Sequence, residues 1–316
     1  MTDLPTLVLL TNYGGPTSEK EIKPYLRRLF SDPAVFPIPK FLRTLLGFIV
    51  SHVRSRETFQ ILQTLDGKSP LISQTQEQAN KLQEMLGSTF HFRVAMRYSQ
   101  PLLEEYLKNY SKLRKKYKRL VVLPMFPHYS FSTYGSIERL IKDHGLENQI
   151  TLTRPFYNCP LFIEGWKKAL KKTLQEFYKQ NPSEEPFILF SAHSLPLYLV
   201  KKGDPYPQQV KESVELIMES FNLSYSIGYQ SKVGPISWLE PSTEEVIINL
   251  SKKGVKHLIV LPISFTAENS ETLYEIDIQY RQLAKDLGFK TFKRVPIPYL
   301  STDWLDCLKE LIEVKI

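Results

Sequence analysis

Cysteine is almost absent from this chain of 316 residues, which contains only Cys159 and Cys307. The two residues lie far apart and lack the spacing of metal-ligating pairs. The sequence therefore offers no disulfide framework and no zinc or iron–sulfur motif. Cysteine usage of this kind is typical of a reducing compartment, and we expect a cytoplasmic protein.

Long apolar runs are also missing, since no stretch of the sequence could span a bilayer as a helix. The segment that comes closest to a membrane-spanning helix, residues 41–50, is too short and contains Arg43. The first residues carry no basic segment of the kind that opens a secretory signal, so we expect no signal peptide.

Positive charge is in excess, with 41 Lys and Arg against 33 Asp and Glu, a net charge of +8. The excess is clustered at residues 112–119, 167–172 and 201–202. Such a surface can meet nucleic acid, an anionic membrane or an acidic small molecule, or it can be a solvated helix face. Because the clusters are not interleaved with stacking aromatics, we expect no nucleic-acid partner.

Four segments share one plan, in which an apolar strand leads through a polar loop into an amphipathic helix. Their strands are predicted at residues 7–10, 120–125, 187–190 and 258–263. Strands that alternate with helices indicate parallel sheets covered on both faces. Residues 121–124 echo residues 259–262, which fits two similar doubly wound domains. We predict an α/β fold with domains at residues 1–155 and 156–316.

One histidine stands where the strand at residues 186–190 gives way to a small polar turn. His193 has Ser191 and Ser194 beside it rather than core residues. Ligands bind at the carboxyl ends of strands in open α/β sheets, and histidine exchanges protons or binds metals near neutral pH. His193 is thus a candidate for chemistry, although a structural histidine would show the same pattern.

Three acids follow another predicted strand. Glu268, Glu271 and Glu275 have the spacing that places side chains on one face of a helix. This face could be a carboxylate track for protons or a divalent cation, or a solvated acidic face at a helix N-terminus.

Further residues have binding chemistry. Arg97 and Tyr98 follow a strand predicted at residues 90–96, where they could clamp an anion. Trp238 lies in an extended loop, where it could fill a core or stack on a flat ligand. Residues 33–53 form an apolar stretch interrupted by prolines. This stretch could be ordinary core, or it could be an exposed apolar segment at the edge of a binding site, here called the lip, that contacts a hydrophobic ligand or a membrane surface.

Taken together, these segments resemble the ferrochelatase family, whose members insert ferrous iron into a porphyrin. The order, spacing and combined length of several motifs carry the resemblance, which spans nearly the whole chain. The motifs are NYGGP at 12–16, Ser69-Pro70, Arg97-Tyr98, LPMFPHYSFSTYGS at 123–136, SAHSLP at 191–196, QSKVGPISWL at 230–239 and residues 262–280.

The resemblance implies roles for individual residues. His193 and Glu271 match the family's invariant histidine and glutamate on one side of the porphyrin plane, and Glu275 matches the next acid of a carboxylate row. These three are the expected catalytic residues. His193, Glu271 and Tyr13, which faces the other side of the ring, are the expected metal contacts. The expected porphyrin-binding residues are Tyr13, Ser69, Arg97, Tyr98, Ser130 and Trp238.

The resemblance also implies the architecture and the reaction. We expect two Rossmann-like domains, each with a four-stranded parallel sheet flanked by helices, and a porphyrin cleft between them. Residues 33–53 would be the lip, and a last helix at 304–314 would pack back on the N-terminal domain. Fe²⁺ is expected to enter protoporphyrin IX with release of two protons, giving protohaem in the terminal step of haem biosynthesis. We expect no organic cofactor, no iron–sulfur cluster, a monomer, and peripheral membrane contact through the lip.

The chain departs from the family pattern at three positions. Asn269 stands where many members have a second histidine, and Gln279 stands where some have a further acid. Tyr13 replaces a methionine or leucine, so a phenol oxygen could serve as a hard iron ligand or hydrogen-bond donor. A mechanism that requires a second histidine or a long acidic row therefore does not transfer directly to this chain.

Other functions remain as alternatives. The porphyrin could be coproporphyrin III, although residues 230–239 and 271–280 most resemble members that use protoporphyrin IX. A chelatase for cobalt or nickel is a second alternative. A non-catalytic tetrapyrrole carrier would not need His193 and Glu271 together, and a nucleic-acid-binding protein would show a recognised binding motif.

Overall fold

The computed structural model describes residues 4–65, 67–232, 234 and 236–313. Val233 and Pro235 of the predicted Trp238 loop and Val314 of the predicted last helix lie outside the described residues. The chain divides into two units, Met1–Pro155 with Leu305–Ile316, and Phe156–Trp304. Each unit contains one four-stranded sheet.

The first unit has its sheet in the order β2-β1-β3-β4, with all strands parallel. Its strands are β1 (Thr6–Thr11), β2 (Phe90–Val94), β3 (Arg119–Pro124) and β4 (Thr151–Leu152). Its helices are α1 (Glu19–Phe30), α2 (Lys40–Val53), α3 (Ser55–Gln63), α4 (Leu71–Leu86), α5 (Leu103–Lys108), α6 (Tyr110–Leu113) and α7 (Tyr134–Asp143), with a 3₁₀ turn at Gly87–Thr89.

The second unit repeats this arrangement in the order β6-β5-β7-β8, again fully parallel. Its strands are β5 (Phe187–His193), β6 (Tyr225–Gln230), β7 (His257–Leu261) and β8 (Thr291–Arg294). Its helices are α8 (Pro160–Gln180), α9 (Leu197–Lys201), α10 (Tyr206–Met218), α11 (Thr243–Lys252), a π-helix (Glu271–Tyr280) and α12 (Arg281–Asp286). A final helix, α13 (Thr302–Glu313), crosses the boundary between the units.

The predicted fold class is confirmed by these two sheets. Both have the same strand order, and the two strands whose sequences echo each other, β3 and β7, hold the same place in their sheets. In the first sheet the chain passes from β1 to β2 on one side and then crosses over to β3 on the other side of β1, and the second sheet does the same with β5, β6 and β7. This reversal of strand order is the switch point at which open α/β sheets bind ligands.

Burial explains why the central strands form where they do. Every residue of β1 and β7 is buried, as expected for parallel strands covered by helices on both faces. Leu7 and Leu9 pack with Ile137 and Ile141 of α7 in one core cluster. In the second unit, Leu189 and Val260 pack with Ile247 and Ile276.

Helix α2 departs from this rule because most of its apolar side chains face solvent. Phe41 is 71% exposed and Val53 is 72% exposed, and Leu45, Phe48 and Ile49 are each about half exposed. These side chains are therefore not ordinary core, whereas Phe36 and Val50 of the same stretch pack against buried residues of α1 and α3. No helix among the described residues is long and apolar enough to cross a membrane.

Candidate active site

The strand that carries the candidate histidine is longer than the sequence indicated. β5 runs through His193 rather than ending at Phe190, because it stays paired with β6 to its last residue. His193 is the register partner of Gln230, the last residue of β6. His193 thus lies at the carboxyl end of the sheet and not in the turn that follows.

The backbone of His193 is fixed across the switch point of its sheet. Its N–H group donates to Ser264 Oγ at 3.1 Å, just after β7. The hydroxyl of Tyr206 lies 2.7 Å from the same oxygen, and Tyr206 is buried on α10. The half-buried imidazole meets Phe265 edge to face, with ring centroids 6.3 Å apart. Both the strand end and one side of the ring are therefore held by the loop after β7.

The protonation state of His193 follows from its surroundings. Burial lowers the pKa of the imidazole, and the nearby charge of Glu271 opposes part of that shift. The neutral ring predominates at neutral pH. A neutral imidazole can accept a proton or bind a metal ion, which an imidazolium cannot.

Removing the charge of Glu271 is expected to move this titration. In Glu271→Gln the imidazole keeps its burial but loses the neighbouring charge that raises its pKa. The His193 pKa should then fall below its wild-type value. An NMR titration of the histidine ring protons measures it, with His193→Asn identifying the resonance. A pKa that stays unchanged or rises would contradict the inferred contact.

The predicted acidic face is partly wrong. Glu271 and Glu275 lie in the π-helix Glu271–Tyr280, but Glu268 precedes the helix. Glu268 instead pairs with Arg294 at 2.8 Å and accepts from Thr272 Oγ1 at 2.5 Å. Glu268, Glu271 and Glu275 therefore do not share one face of a helix. The row that remains consists of Glu271 and Glu275, both half-buried.

Arg294, the last residue of β8, forms ion pairs that hold the π-helix against this strand. Its guanidinium pairs with Glu268 before the helix and with Asp277 within it, the latter at 2.7 Å. The Arg294 side chain is only 11% exposed, so these pairs are shielded from water and salt. Neither Arg294 nor Asp277 was singled out from the sequence.

Asn269 has a capping role here. Its Oδ1 accepts from the Thr272 N–H at 3.0 Å, and Thr272 Oγ1 accepts from the Asn269 N–H at 3.0 Å. This reciprocal pair satisfies donors at the start of the helix. The side chain is buried and committed to the backbone, which accounts for a small amide at this position.

A pair of variants tests the cap. Asn269→Ala should lower the free energy of unfolding by about 1 kcal/mol, because it removes the acceptor for a helix N-terminal donor. Asn269→Asp should lose much less, because a carboxylate accepts the same hydrogen bond. Urea denaturation followed by circular dichroism measures both. Equal losses would show that the side-chain acceptor is unimportant.

Trp238 lies beside the segment that follows His193. Pro196 and Trp238 form an isolated antiparallel bridge, and the N–H of Leu197 donates to the Ser237 carbonyl at 2.9 Å. The indole is half-buried and is not fully enclosed as core filler would be. The second unit therefore brings His193, Glu271, Glu275 and Trp238 to the carboxyl end of its sheet.

The first unit gathers a second group of predicted residues at its own strand ends. Tyr13 follows β1, and Arg97 and Tyr98 follow β2. The N–H groups of Arg97 and Tyr98 donate to the carbonyls of Asn12 and Tyr13 at 2.8 and 3.0 Å. The rings of Tyr13 and Tyr98 have centroids 5.2 Å apart. Gly14 allows this approach, since it has φ of +82° and a Cβ there would lie 1.9 Å from Ser99 Oγ.

The two predicted serines stand near this group. Ser130, after β3, has its Oγ 3.0 Å from Ser132 Oγ, and Tyr13 donates to the Ser132 carbonyl at 2.9 Å. Ser69 precedes α4 and lies against Gly15. A Cβ added to Gly15 would come within 3.0 Å of the Ser69 Cβ. All predicted residues of the first unit therefore surround the turn after β1.

Asp32 is the residue of this group that the sequence did not reveal. Its Oδ2 accepts from Arg97 at 2.7 Å, from the Tyr98 hydroxyl at 2.9 Å and from Ser136 Oγ at 2.6 Å. Burial, followed by the charge of Asp32, holds the pKa of Tyr98 well above its usual value, so the phenol remains a donor. Arg97 thus already has an anionic partner within the protein.

No three His, Cys, Asp or Glu side chains within residues 4–65, 67–232, 234 and 236–313 are placed to hold a metal ion.

Comparisons with known proteins identify the family of this chain. The family model described as Ferrochelatase matches residues 6–316. The ferrochelatase of Aquifex aeolicus is 41% identical over 98% of this chain and 99% of its own. That of Sulfurihydrogenibium sp. is 40% identical over 96% and 97%. That of Geotalea uraniireducens is 38% identical over 97% of each.

Solved structures support the fold at low sequence identity. The sirohydrochlorin chelatase SirB of Bacillus subtilis subspecies spizizenii superposes with a TM-score of 0.52 at 11% identity, covering 98% of this chain and 96% of that chain. A multi-domain Deinococcus radiodurans protein with structural similarity to chelatases gives 0.52 at 12% identity, covering 98% and 54%.

Two parallel four-stranded sheets flanked by helices define an α/β protein with a chelatase-like fold. Near-full-length identity then narrows the class to one family. The chain belongs to the ferrochelatase family. It is a metal chelatase of haem biosynthesis, an enzyme of the lyase class with ferrous iron and a porphyrin as substrates.

Proposed function

We propose that the chain inserts Fe²⁺ into protoporphyrin IX and releases protohaem and two protons. The assignment of catalytic roles rests on the environment of His193. Its half-buried imidazole lies at the end of β5 near Glu271, and burial keeps it neutral. Iron is the substrate, and neither an organic cofactor nor an iron–sulfur cluster takes part in the proposed reaction.

The proposed mechanism gives His193 the role of proton acceptor. Two pyrrole N–H groups must lose their protons before the macrocycle nitrogens can bind Fe²⁺. The neutral imidazole takes a pyrrole proton, and the imidazolium that forms is stabilised by the nearby Glu271 carboxylate. A site that holds the macrocycle bent, with its nitrogen lone pairs directed at the metal, lowers the barrier further.

Glu275 is proposed to carry protons or iron between Glu271 and solvent. It lies on the same π-helix, four residues after Glu271, and its Oε2 already accepts hydrogen bonds from Gln230 and Ser231. Two protein donors therefore hold this carboxylate in place. His193 and Glu271 are proposed iron contacts, and Tyr13 is a further proposed iron contact.

Porphyrin contacts are proposed for Tyr13, Ser69, Arg97 and Trp238. Tyr98 and Ser130 were expected to bind the porphyrin as well, but both are fully buried and are proposed to support the neighbouring residues instead. The half-buried Trp238 and Tyr13 offer flat aromatic surface for a macrocycle. Arg97 is tied to Asp32 and is 15% exposed, so it would meet a propionate with the guanidinium edge that Asp32 leaves open. The exposed apolar side of α2 is proposed as a lip that touches the porphyrin or a membrane surface.

The working form is proposed to be a cytoplasmic monomer. Scarce cysteine supports the compartment, because neither Cys159 nor Cys307 has the spacing of a disulfide framework. Gel filtration with light scattering tests the monomer, and the same sample with anionic or neutral vesicles tests contact through α2. Vesicle binding that survives Phe41→Ser and Phe48→Ser would exclude the lip as the contact.

The identity of the porphyrin is tested by steady-state metallation. Purified protein is supplied anaerobically with Fe²⁺ and either protoporphyrin IX or coproporphyrin III, and loss of porphyrin fluorescence gives kcat/KM for each. The proposal predicts a higher value for protoporphyrin IX. A preference for coproporphyrin III would keep the chelatase reaction but reassign the substrate to the porphyrin with four carboxylates.

A further inference from the structure

Gln230 occupies a position between the histidine and the glutamates of the candidate active site. It is the last residue of β6 and the register partner of His193. Its carbonyl accepts from the Ser194 N–H at 2.8 Å. Through its backbone, Gln230 therefore holds the end of the strand that carries His193.

The side chain of Gln230 reaches the helix that carries the glutamates. Its Nε2 donates to the carbonyl of Glu271 at 3.2 Å and to Oε2 of Glu275 at 3.1 Å. Both acceptors belong to the first turn of the π-helix Glu271–Tyr280. One residue thus makes hydrogen bonds to the elements of all three proposed catalytic residues.

The orientation of the Gln230 amide is determined by its partners. Oε1 accepts from Ser191 Oγ at 2.5 Å, and Ser191 Oγ lies 2.9 Å from Thr243 Oγ1. A flipped amide would direct its oxygen at the Glu271 carbonyl and the Glu275 carboxylate, where acceptors repel each other. Because Gln230 is 1% exposed, water is not there to compensate.

The next residue adds a second donor to the same carboxylate oxygen. Ser231 has φ of +67°, a left-handed conformation that is uncommon for residues other than glycine. In this conformation its Oγ donates to Glu275 Oε2 at 2.8 Å. A strained residue at this point fits a site where backbone geometry serves function rather than stability.

We propose that Gln230 is a positioning residue that sets the placement of Glu271 and Glu275 relative to His193. The inference rests on the proposed function, since it presumes that these three side chains act in metal insertion. Gln230 itself contacts no substrate in this account. Its effect on turnover arises because catalytic groups displaced by about 1 Å can lose about 10²-fold in rate.

The test is a double-mutant cycle on kcat with Gln230→Met, Glu275→Gln and the double variant. Methionine keeps the volume of Gln230 but removes its hydrogen bonds. We expect Gln230→Met to lower kcat for Fe²⁺ insertion by about 10- to 100-fold. Porphyrin binding, followed by fluorescence, should change by less than about 3-fold, because the pocket surface is untouched. Gln282→Met, at an exposed position of α12, is the matched control and should keep wild-type kcat.

Coupling separates positioning from a purely structural role. If Gln230 acts through the glutamates, its replacement should cost several-fold less in the Glu275→Gln background. Multiplicative effects, or a wild-type kcat in Gln230→Met, would overturn the proposal. If Gln230→Met does not fold, Ser231→Gly serves in the same cycle, because glycine adopts the left-handed conformation without strain. Ser231→Gly is expected to lower kcat by about 3- to 10-fold.

The outcomes also separate this inference from the proposed function. A wild-type protein that inserts no iron would remove the proposed function and with it the role of Gln230. A wild-type protein that inserts iron, with Glu275→Gln impaired and Gln230→Met unimpaired, would leave the function in place and remove only the positioning role.

Discussion

Replacing His193 with alanine is expected to reduce iron insertion by about 10²- to 10⁴-fold, the usual contribution of a general acid or base. The neutral imidazole at the end of β5 is the proton acceptor of the proposed mechanism. Alanine removes that group and leaves the backbone hydrogen bond to Ser264 in place. Porphyrin affinity should therefore change little while kcat collapses. Anaerobic turnover and fluorescence titration measure the two quantities.

A matched histidine provides the control for this variant. His144 is half-buried like His193 but follows α7 in the first unit, where a ring nitrogen lies 2.9 Å from the Leu140 carbonyl. His144→Ala should retain kcat close to wild type. Near-normal turnover in His193→Ala would remove His193 from the chemistry.

The pH dependence of kcat follows from the same residue. Because burial lowers the His193 pKa below its ordinary value of 6.5, the neutral base persists to more acidic pH than in a free histidine. Activity should therefore be retained near neutral pH and fall on the acid side, below that ordinary value. A kcat profile measured between pH 5 and about 8 tests this. An acid limb centred well above 6.5 would contradict the inferred environment.

The largest effect on stability is expected for Asp32→Ala. The Asp32 side chain is 1% exposed and accepts hydrogen bonds from Arg97, Tyr98 and Ser136 through one oxygen. Its removal leaves the Arg97 guanidinium without its anionic partner and at 15% exposure. Breaking a buried pair in this way costs about 3–5 kcal/mol. Urea denaturation should show a correspondingly lower midpoint.

Two further variants show whether burial and charge cause this loss. Asp32→Asn keeps an oxygen acceptor for Tyr98 but loses the charge opposite Arg97, so its loss should be smaller than that of Asp32→Ala. Glu57→Ala breaks the exposed pair with Arg54, whose side chains are 59% and 32% exposed, and should cost less than about 1 kcal/mol. Equal losses in Asp32→Ala and Glu57→Ala would refute the account of the buried network.

The fold was predictable from sequence where strands are apolar and fully buried. β1, β3, β5 and β7 were all found, because central parallel strands read as short apolar runs bounded by turns. β4 has two residues, and β8 is half-buried throughout and includes Lys293 and Arg294. Neither offers an apolar run, so pairing with β3 and β7 decides their structure rather than local sequence.

Candidate site residues can be recognised in the sequence where a reactive side chain follows a predicted strand. His193, Glu271 and Glu275 stand out by residue type and position and by resemblance to the family. Asp32 and Gln230 do not, because their importance lies in partners that are distant in sequence, such as Ser136 for Asp32. Glu268 was placed on the helix because spacing alone does not show where a helix begins. Its pairing with Arg294 and the cap formed by Asn269 set that boundary.

The most direct test of the central claim is a single anaerobic turnover of the wild-type protein. Protoporphyrin IX is bound first and Fe²⁺ is then added, while the absorbance spectrum and the release of protons are followed together. The account predicts a metal-dependent conversion to the haem spectrum with two protons released for each iron inserted. Porphyrin that binds and loses fluorescence, but undergoes no spectral or proton change on addition of Fe²⁺, would contradict it and indicate a tetrapyrrole carrier with the same fold.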